Sequence, residues 1–207
     1  MKRKKSNYEI AMIYDTETCN IVDEMNNAHA YPILFIENDV RGVNMCEYDS
    51  SKDGIIHFYR TENEFLKRID TYITWGKLTN KVPIVCGYNL MFDLHPLMEE
   101  LDKKYDINAS AQSSTNVYTV DLCSKTISGK VLLRFWDTFH LEMRGLAAMG
   151  RTAGLPKATG DWNYNLIRTP QTVLTKEELF YARRDVEVIP DYFRYLLQSN
   201  EWMKQSD

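Results

Sequence analysis

The sequence predicts a mixed-sheet α/β domain, and three observations carry that reading. Short apolar segments of strand length recur between residues 8 and 89, and a stretch with helical apolar spacing is interleaved with them. A hairpin-like pair of β-rich segments follows near residues 116–139, before a long amphipathic stretch closes the chain. Strands that precede and alternate with helices are the pattern of a sheet flanked by helices. At 207 residues the chain is long enough for one sizeable core. We expect a basic tail over 1–7 and a single domain over 8–207.

The elements follow in order. YEIAMIY (8–14) reads as a strand, AYPILFIEN (30–38) as a second and GIIHFYR (54–60) as a third. Thr61 with Glu64 three positions on forms a capping-box pattern, and Phe65, Ile69, Tyr72 and Ile73 fall at helical spacing behind it. VPIVCGYN (82–89) is a short buried strand ending at Gly87. A helix is expected from Leu90 to Lys104, with Leu94, Leu97, Met98 and Leu101 on its apolar face. NVYTVDLCSKTISGKVLLRFWDTF holds two strands around Ser128-Gly129, and a helix near 141–153 is weakened by Gly145 and Gly150. The stretch from Pro156 to Val173 reads as loop. The last helix, Lys176 to Gln198, aligns Leu179, Val186, Ile189, Phe193 and Leu196 on one stripe, and Pro190 should kink it.

Composition narrows the function classes. With 44% hydrophobic and 26% charged residues the chain has globular composition, and no apolar run reaches the ~18 residues of a membrane span. The basic start lacks the apolar region of a signal peptide, so a cytoplasmic location is expected. Four scattered cysteines (Cys19, Cys46, Cys86, Cys123) read as reduced thiols, and four scattered histidines argue against a structural zinc site. A net charge of −4 argues against bulk electrostatic attachment to nucleic acid, though not against a local basic groove.

Three acidic motifs stand out. In AMIYDTETCN, Asp15 and Glu17 project from one face of the strand if it continues that far, a poor place for two carboxylates unless they are paired or metal-bound. Taken alone, though, the two acids read as a solvated strand end. Asn89 and Asp93 open the helix after VPIVC, where an asparagine cap and an acid in the first turn are ordinary helix chemistry. Tyr181 and Asp185 sit four apart on the last helix, where simple packing and an ion pair would also account for them. Taken singly, each motif has a structural explanation. Taken together and in this order, D-x-E, N-x-x-F-D and Y-x-x-x-D form a specific constellation.

That constellation resembles the 3′–5′ exonucleases of the DEDD superfamily, in the variant that uses tyrosine. With the hairpin, FWDTF, GDWNY and TKEELFYARRDVEVI, nearly the whole chain looks like the N-terminal exonuclease domain of protein-primed family B DNA polymerases from phages. The resemblance implies an RNase H-like exonuclease fold with an extra β-hairpin and host-cell cytoplasm as the setting. It implies two divalent ions, Mg²⁺ or Mn²⁺, held by Asp15, Glu17, Asp93 and Asp185. Asp15 would bridge both ions, Glu17 and Asp185 would serve the one that binds the attacking water, and Asp93 the other. Tyr181 would orient that water.

The resemblance further implies that Thr18, Asn89, Phe92 and Tyr164 contact the single strand. The family usually carries a lysine in the G-D-x-x-Y loop; here Thr159 stands at its place, Trp162 at the following hydrophobic position, and Lys157 two residues upstream is the candidate substitute. Thr138 in FWDTF matches a Ser/Thr position of the family. The partners implied are the 3′ end of single-stranded DNA, the remainder of a polymerase chain and, by the family alone, a terminal protein. No polymerase motif follows the third exonuclease motif, so an excised domain is favoured over a standalone nuclease. An RNase of the same fold and a non-catalytic strand-binding module are the alternatives.

Overall fold

The computed structural model describes residues 7–43, 54–113, 116–141, 143–158 and 162–199. The basic tail apart from Asn7, Cys46, and Thr159 at the family's lysine position lie outside the described residues. The molecule is an α/β fold built on one mixed seven-stranded sheet in the order β3-β2-β1-β4-β7-β6-β5. The strands are β1 (Tyr8–Val22), β2 (Ala28–Asp39), β3 (Ile55–Tyr59), β4 (Val82–Gly87), β5 (Asp106–Ser113), β6 (Asn116–Cys123) and β7 (Val131–Asp137). β1, β4 and β7 run parallel at the centre, and antiparallel strands extend the sheet on either side.

β1 continues well beyond the apolar segment that announces it, because β2 pairs with it antiparallel from Met12 to Val22. A turn at Asp23 closes that hairpin. Its carboxylate accepts from the backbone N–H groups of Met25 and Asn27, and Asn26 takes a left-handed conformation. β4, by contrast, pairs with β1 only from Tyr8 to Ile13. From Tyr14 onward, among the described residues, one side of β1 has no strand beside it. The two acids lie there, at the carboxyl ends of the parallel strands, where open α/β sheets place their ligand crevices.

Helix α1 (Glu62–Thr79) starts with the expected capping box on Thr61 and Glu64. Its Phe65 stacks on Tyr14 at 4.6 Å and on Phe35 at 5.5 Å, in a core with Ile69, Leu94, Leu97 and Phe135. A second core unites Ile13, Ile36 and Cys86 with α4 (Leu146–Ala153) and α5 (Lys176–Ser199) through Met149, Val186 and Ile189. Cys19, Cys86 and Cys123 are free thiols.

Several boundaries differ from expectation. The helix expected over 90–104 is broken into α2 (Leu90–Leu94), a 3₁₀ turn (His95–Leu97) and α3 (Met98–Lys104). Pro96 lies in the break and has no N–H to continue the ladder. The helix expected over 141–153 begins only at Leu146, after a 3₁₀ turn over Thr138–Leu141 and an extended Gly145. β5 is an additional edge strand whose sequence, DINASAQS, alternates only weakly, through Ile107 and two alanines. α5 runs through Pro190 without interruption. Among the described residues, no helix is long and apolar enough to cross a membrane.

Candidate metal centre

Alternation along β1 sends Ile13, Asp15 and Glu17 toward α5, and Tyr14 and Thr16 toward α1 and α2. On α5, Tyr181 and Asp185 sit one turn apart and face β1. Asp15, Glu17 and Asp185 thereby come together, with one carboxylate oxygen from each within 4.8 Å of the others. Glu17 and Asp185 are buried, and Asp15 is half-buried.

Asp93 reaches this region separately. The Thr16 hydroxyl donates to Asp93 Oδ1, and the Tyr14 hydroxyl donates to the Asp93 carbonyl at 2.7 Å. Asp93 is therefore tied to the opposite face of β1 and stands outside the three-carboxylate cluster.

The electrostatics reflect acids crowded away from water. Burial, and then the charges of Asp93, Glu17 and Asp185, hold the Asp15 carboxyl well above the usual range. Burial and the Asp185 charge push Glu17 up to about 8. Burial lifts Asp93 to about 7, against its hydrogen bonds from Thr16. Asp185 is raised by burial and partly restored by Lys157, whose Nζ lies 2.7 Å from Asp185 Oδ2. Burial opposes the Lys157 charge, but its carboxylate neighbours outweigh that and raise its pKa.

One lysine does not satisfy three acids. Glu17 Oε1 and Asp185 Oδ1 are buried with no hydrogen-bond partner among the described residues. Buried carboxylate oxygens left open, in a donor set made only of oxygen, fit a hard divalent cation. The residues present suit Mg²⁺ or Mn²⁺.

The loop over 162–168 is strapped beside this cluster. Trp162 Nε1 donates to the Thr18 carbonyl at 2.9 Å, and Asn20 N donates to the Tyr164 carbonyl at 2.7 Å. Buried Arg168 sits over the Trp162 ring, donates to the carbonyls of Asn163 and Leu166, and pairs with Glu178 at the start of α5. The Trp162 ring stacks on Tyr181 at 6.4 Å, Lys157 Nζ lies 5.3 Å from the Tyr181 ring centre, and Tyr164 and Tyr181 share a side-chain hydrogen bond.

On the other side, Thr18, Asn89 and Phe92 line a groove of about 430 Å³ with Ala30, Met91, His95 and Pro96. Thr18 is buried in its wall, whereas Phe92 is 51% exposed. Tyr164, 42% exposed, lies against Tyr181 and not in that groove. Asn89 does not cap α2 with its side chain; it takes a left-handed backbone (φ 56°), and the Asp137 carboxylate receives its N–H. Thr138, matched to the family's Ser/Thr position, is buried and donates to the Gly87 carbonyl at 2.8 Å. Sequence reasoning missed Tyr14, Thr16, Asp137 and Arg168. Thr16 was visible between two acids, but its partner lies 77 residues away.

Fold and site together define a class: a mixed α/β sheet with a buried carboxylate cluster at the carboxyl end of its first strand. No protein-family model matches the chain, and no curated protein matches it. Among solved structures the chain is similar to phi29 DNA polymerase complexed with primer-template DNA and incoming nucleotides, with TM-score 0.65, 14% identity and 95% of this chain covered. It is also similar to phi29 DNA polymerase complexed with single-stranded DNA, with TM-score 0.61, 13% identity and 87% of this chain covered. The chain spans about a third of those polymerases, 32% and 30% of their length. At such identity the likeness is one of fold.

Proposed function

We propose that the chain is a metal-dependent 3′–5′ exonuclease acting on single-stranded DNA, the proofreading part of a DNA polymerase. The observation that carries this is the convergence of Asp15, Glu17 and Asp185 on one point, with buried oxygens left open and Tyr181 one turn from Asp185. The shared fold with part of a DNA polymerase supports the substrate class.

Asp15, Glu17 and Asp185 would hold one Mg²⁺ or Mn²⁺, and Asp93, bound to Thr16 beside them, would serve a second. Bound there, such ions lower the pKa of a water and stabilise charge on the leaving 3′ oxygen. The chain's own residues do the rest. The Tyr181 hydroxyl orients the water and does not deprotonate it, because burial raises its pKa and keeps it protonated. The exposed faces of Phe92 and Tyr164 stack the terminal bases, for about 1–3 kcal/mol each. Thr18 and Asn89 line the groove beside Phe92 and position the strand, while Lys157, at the edge of the cluster, meets the phosphate that the acids alone would repel.

The test uses an oligonucleotide labelled at its 5′ end, so that removal from the 3′ end gives a ladder. The wild-type chain with Mn²⁺ should produce that ladder and release nucleoside monophosphates. Asp15→Ala should abolish it, and Tyr181→Phe should slow it by about 10²-fold. Equal activity of Asp15→Ala and wild type would end the proposal. Degradation of an RNA of the same sequence in preference to the DNA would move the substrate class to RNA.

A further inference from the structure

We infer that Asp137, at the end of β7, is a positioning residue that sets where Asn89, Phe92 and Asp93 stand; the inference rests on the nuclease reading above. Asp137 is 5% exposed, and backbone N–H groups meet its charge. Oδ1 accepts from Asn89 N at 3.1 Å and from Phe139 N at 2.9 Å, and Oδ2 accepts from Leu90 N at 3.1 Å. Register places Asp137 opposite Gly87, so the carboxylate lies directly below the turn at which β4 gives way to α2.

That turn needs an external hold. Asn89 is in the left-handed region, its side chain makes no capping bond, and α2 is only five residues long. A helix that short has no stability of its own. Everything the proposed site takes from this segment nevertheless lies within one turn of it: Asn89 and Phe92 in the strand groove, and Asp93 against Thr16. Gly87 lets the Leu90 side chain fold back over the turn, because a Cβ there would meet Leu90 Cδ1 at 2.9 Å. The neighbouring Thr138 hydroxyl ties the same turn to β7 through the Gly87 carbonyl.

An acceptor-only group with two oxygens suits three converging N–H donors. An asparagine would keep one oxygen and turn its own N–H₂ toward a donor. A purely structural cap and a positioning residue differ in what their removal moves. Loss of a cap lowers stability alone, whereas loss of a positioning residue shifts turnover and metal dependence at temperatures where the chain is fully folded.

The experiment compares the full 207-residue wild type with Asp137→Asn and Asp137→Ala, well below their melting temperatures. Hydrogen exchange should accelerate at the Asn89, Leu90 and Phe139 amides and remain unchanged in β1 and α5. Turnover with the labelled oligonucleotide should fall by about 10–100-fold and the Mn²⁺ concentration for half activity should rise, with Asp137→Asn less affected than Asp137→Ala. If Asp137→Ala does not fold, Asp137→Asn carries the same readouts. Faster exchange at the turn with wild-type turnover and Mn²⁺ dependence would overturn the inference, as would unchanged exchange. A wild-type chain that cleaves nothing would refute the nuclease reading separately, since exchange still reports whether Asp137 holds the turn.

Discussion

Glu17 and Asp185 each hold a buried carboxylate oxygen without a partner among the described residues, and Lys157 balances only part of the local charge. A fold tolerates such a group where it serves a purpose other than stability. The consequence is a definite pH dependence. In the metal-free chain Glu17 titrates near 8 and Asp93 near 7, whereas in the unfolded chain both return to ordinary carboxylate values. Between those values and about pH 8 the folded state binds more protons than the unfolded state, so stability falls as pH rises. The metal-free melting temperature should drop between about pH 5.5 and about pH 8.5 by at least the 2–4 °C that roughly 1 kcal/mol represents. Mn²⁺ should raise it, and more so at the higher pH. A metal-free melting temperature that climbs with pH over this window would show that the acids are not crowded as described. The acids themselves were legible in the sequence because their types and order are unusual. Their supports were not, since Thr16, Asp137 and Arg168 acquire meaning only through contacts with remote segments.

At the scale of elements, α5 shows how a local rule is met from outside. Pro190 has no N–H for the Val186 carbonyl, and buried Asn38 of β2 supplies the missing donor through Nδ2 at 3.3 Å. That bond pins the helix to the sheet immediately after Asp185. Asn38→Ala should therefore destabilise the chain by about 1–3 kcal/mol in urea unfolding, with no change in the m-value. A shift below about 0.5 kcal/mol, the range of an ordinary surface substitution, would mean that the carbonyl is satisfied otherwise. Elements with strong patterns were legible: α1 through its capping box, α5 through its stripe, and β6 with β7 through the turn at Gly129. β5 was not, because its alternation rests on one isoleucine and two small alanines, too weak an apolar signal to mark a strand. The break at Pro96 was masked by the apolar face of Leu94, Leu97 and Leu101, which stays buried on both sides of it.

In the whole molecule, topology creates the site. β1 outruns its parallel neighbour β4, placing its acids beyond the strand-paired part of that edge. The last helix returns beside them carrying Asp185, 170 residues after Asp15. The chain's net charge of −4 makes general attraction to DNA weak, so under the proposed function strand capture would rest on the aromatic faces, on Lys157 and on the ion the acids would hold. The proposed hydrolysis depends on such an ion. The most direct measurement is anomalous scattering from crystals of the chain soaked in Mn²⁺. The account predicts an anomalous peak among the carboxylates of Asp15, Glu17 and Asp185. Crystals that bind no Mn²⁺ there, with the Lys157–Asp185 ion pair intact, would contradict it.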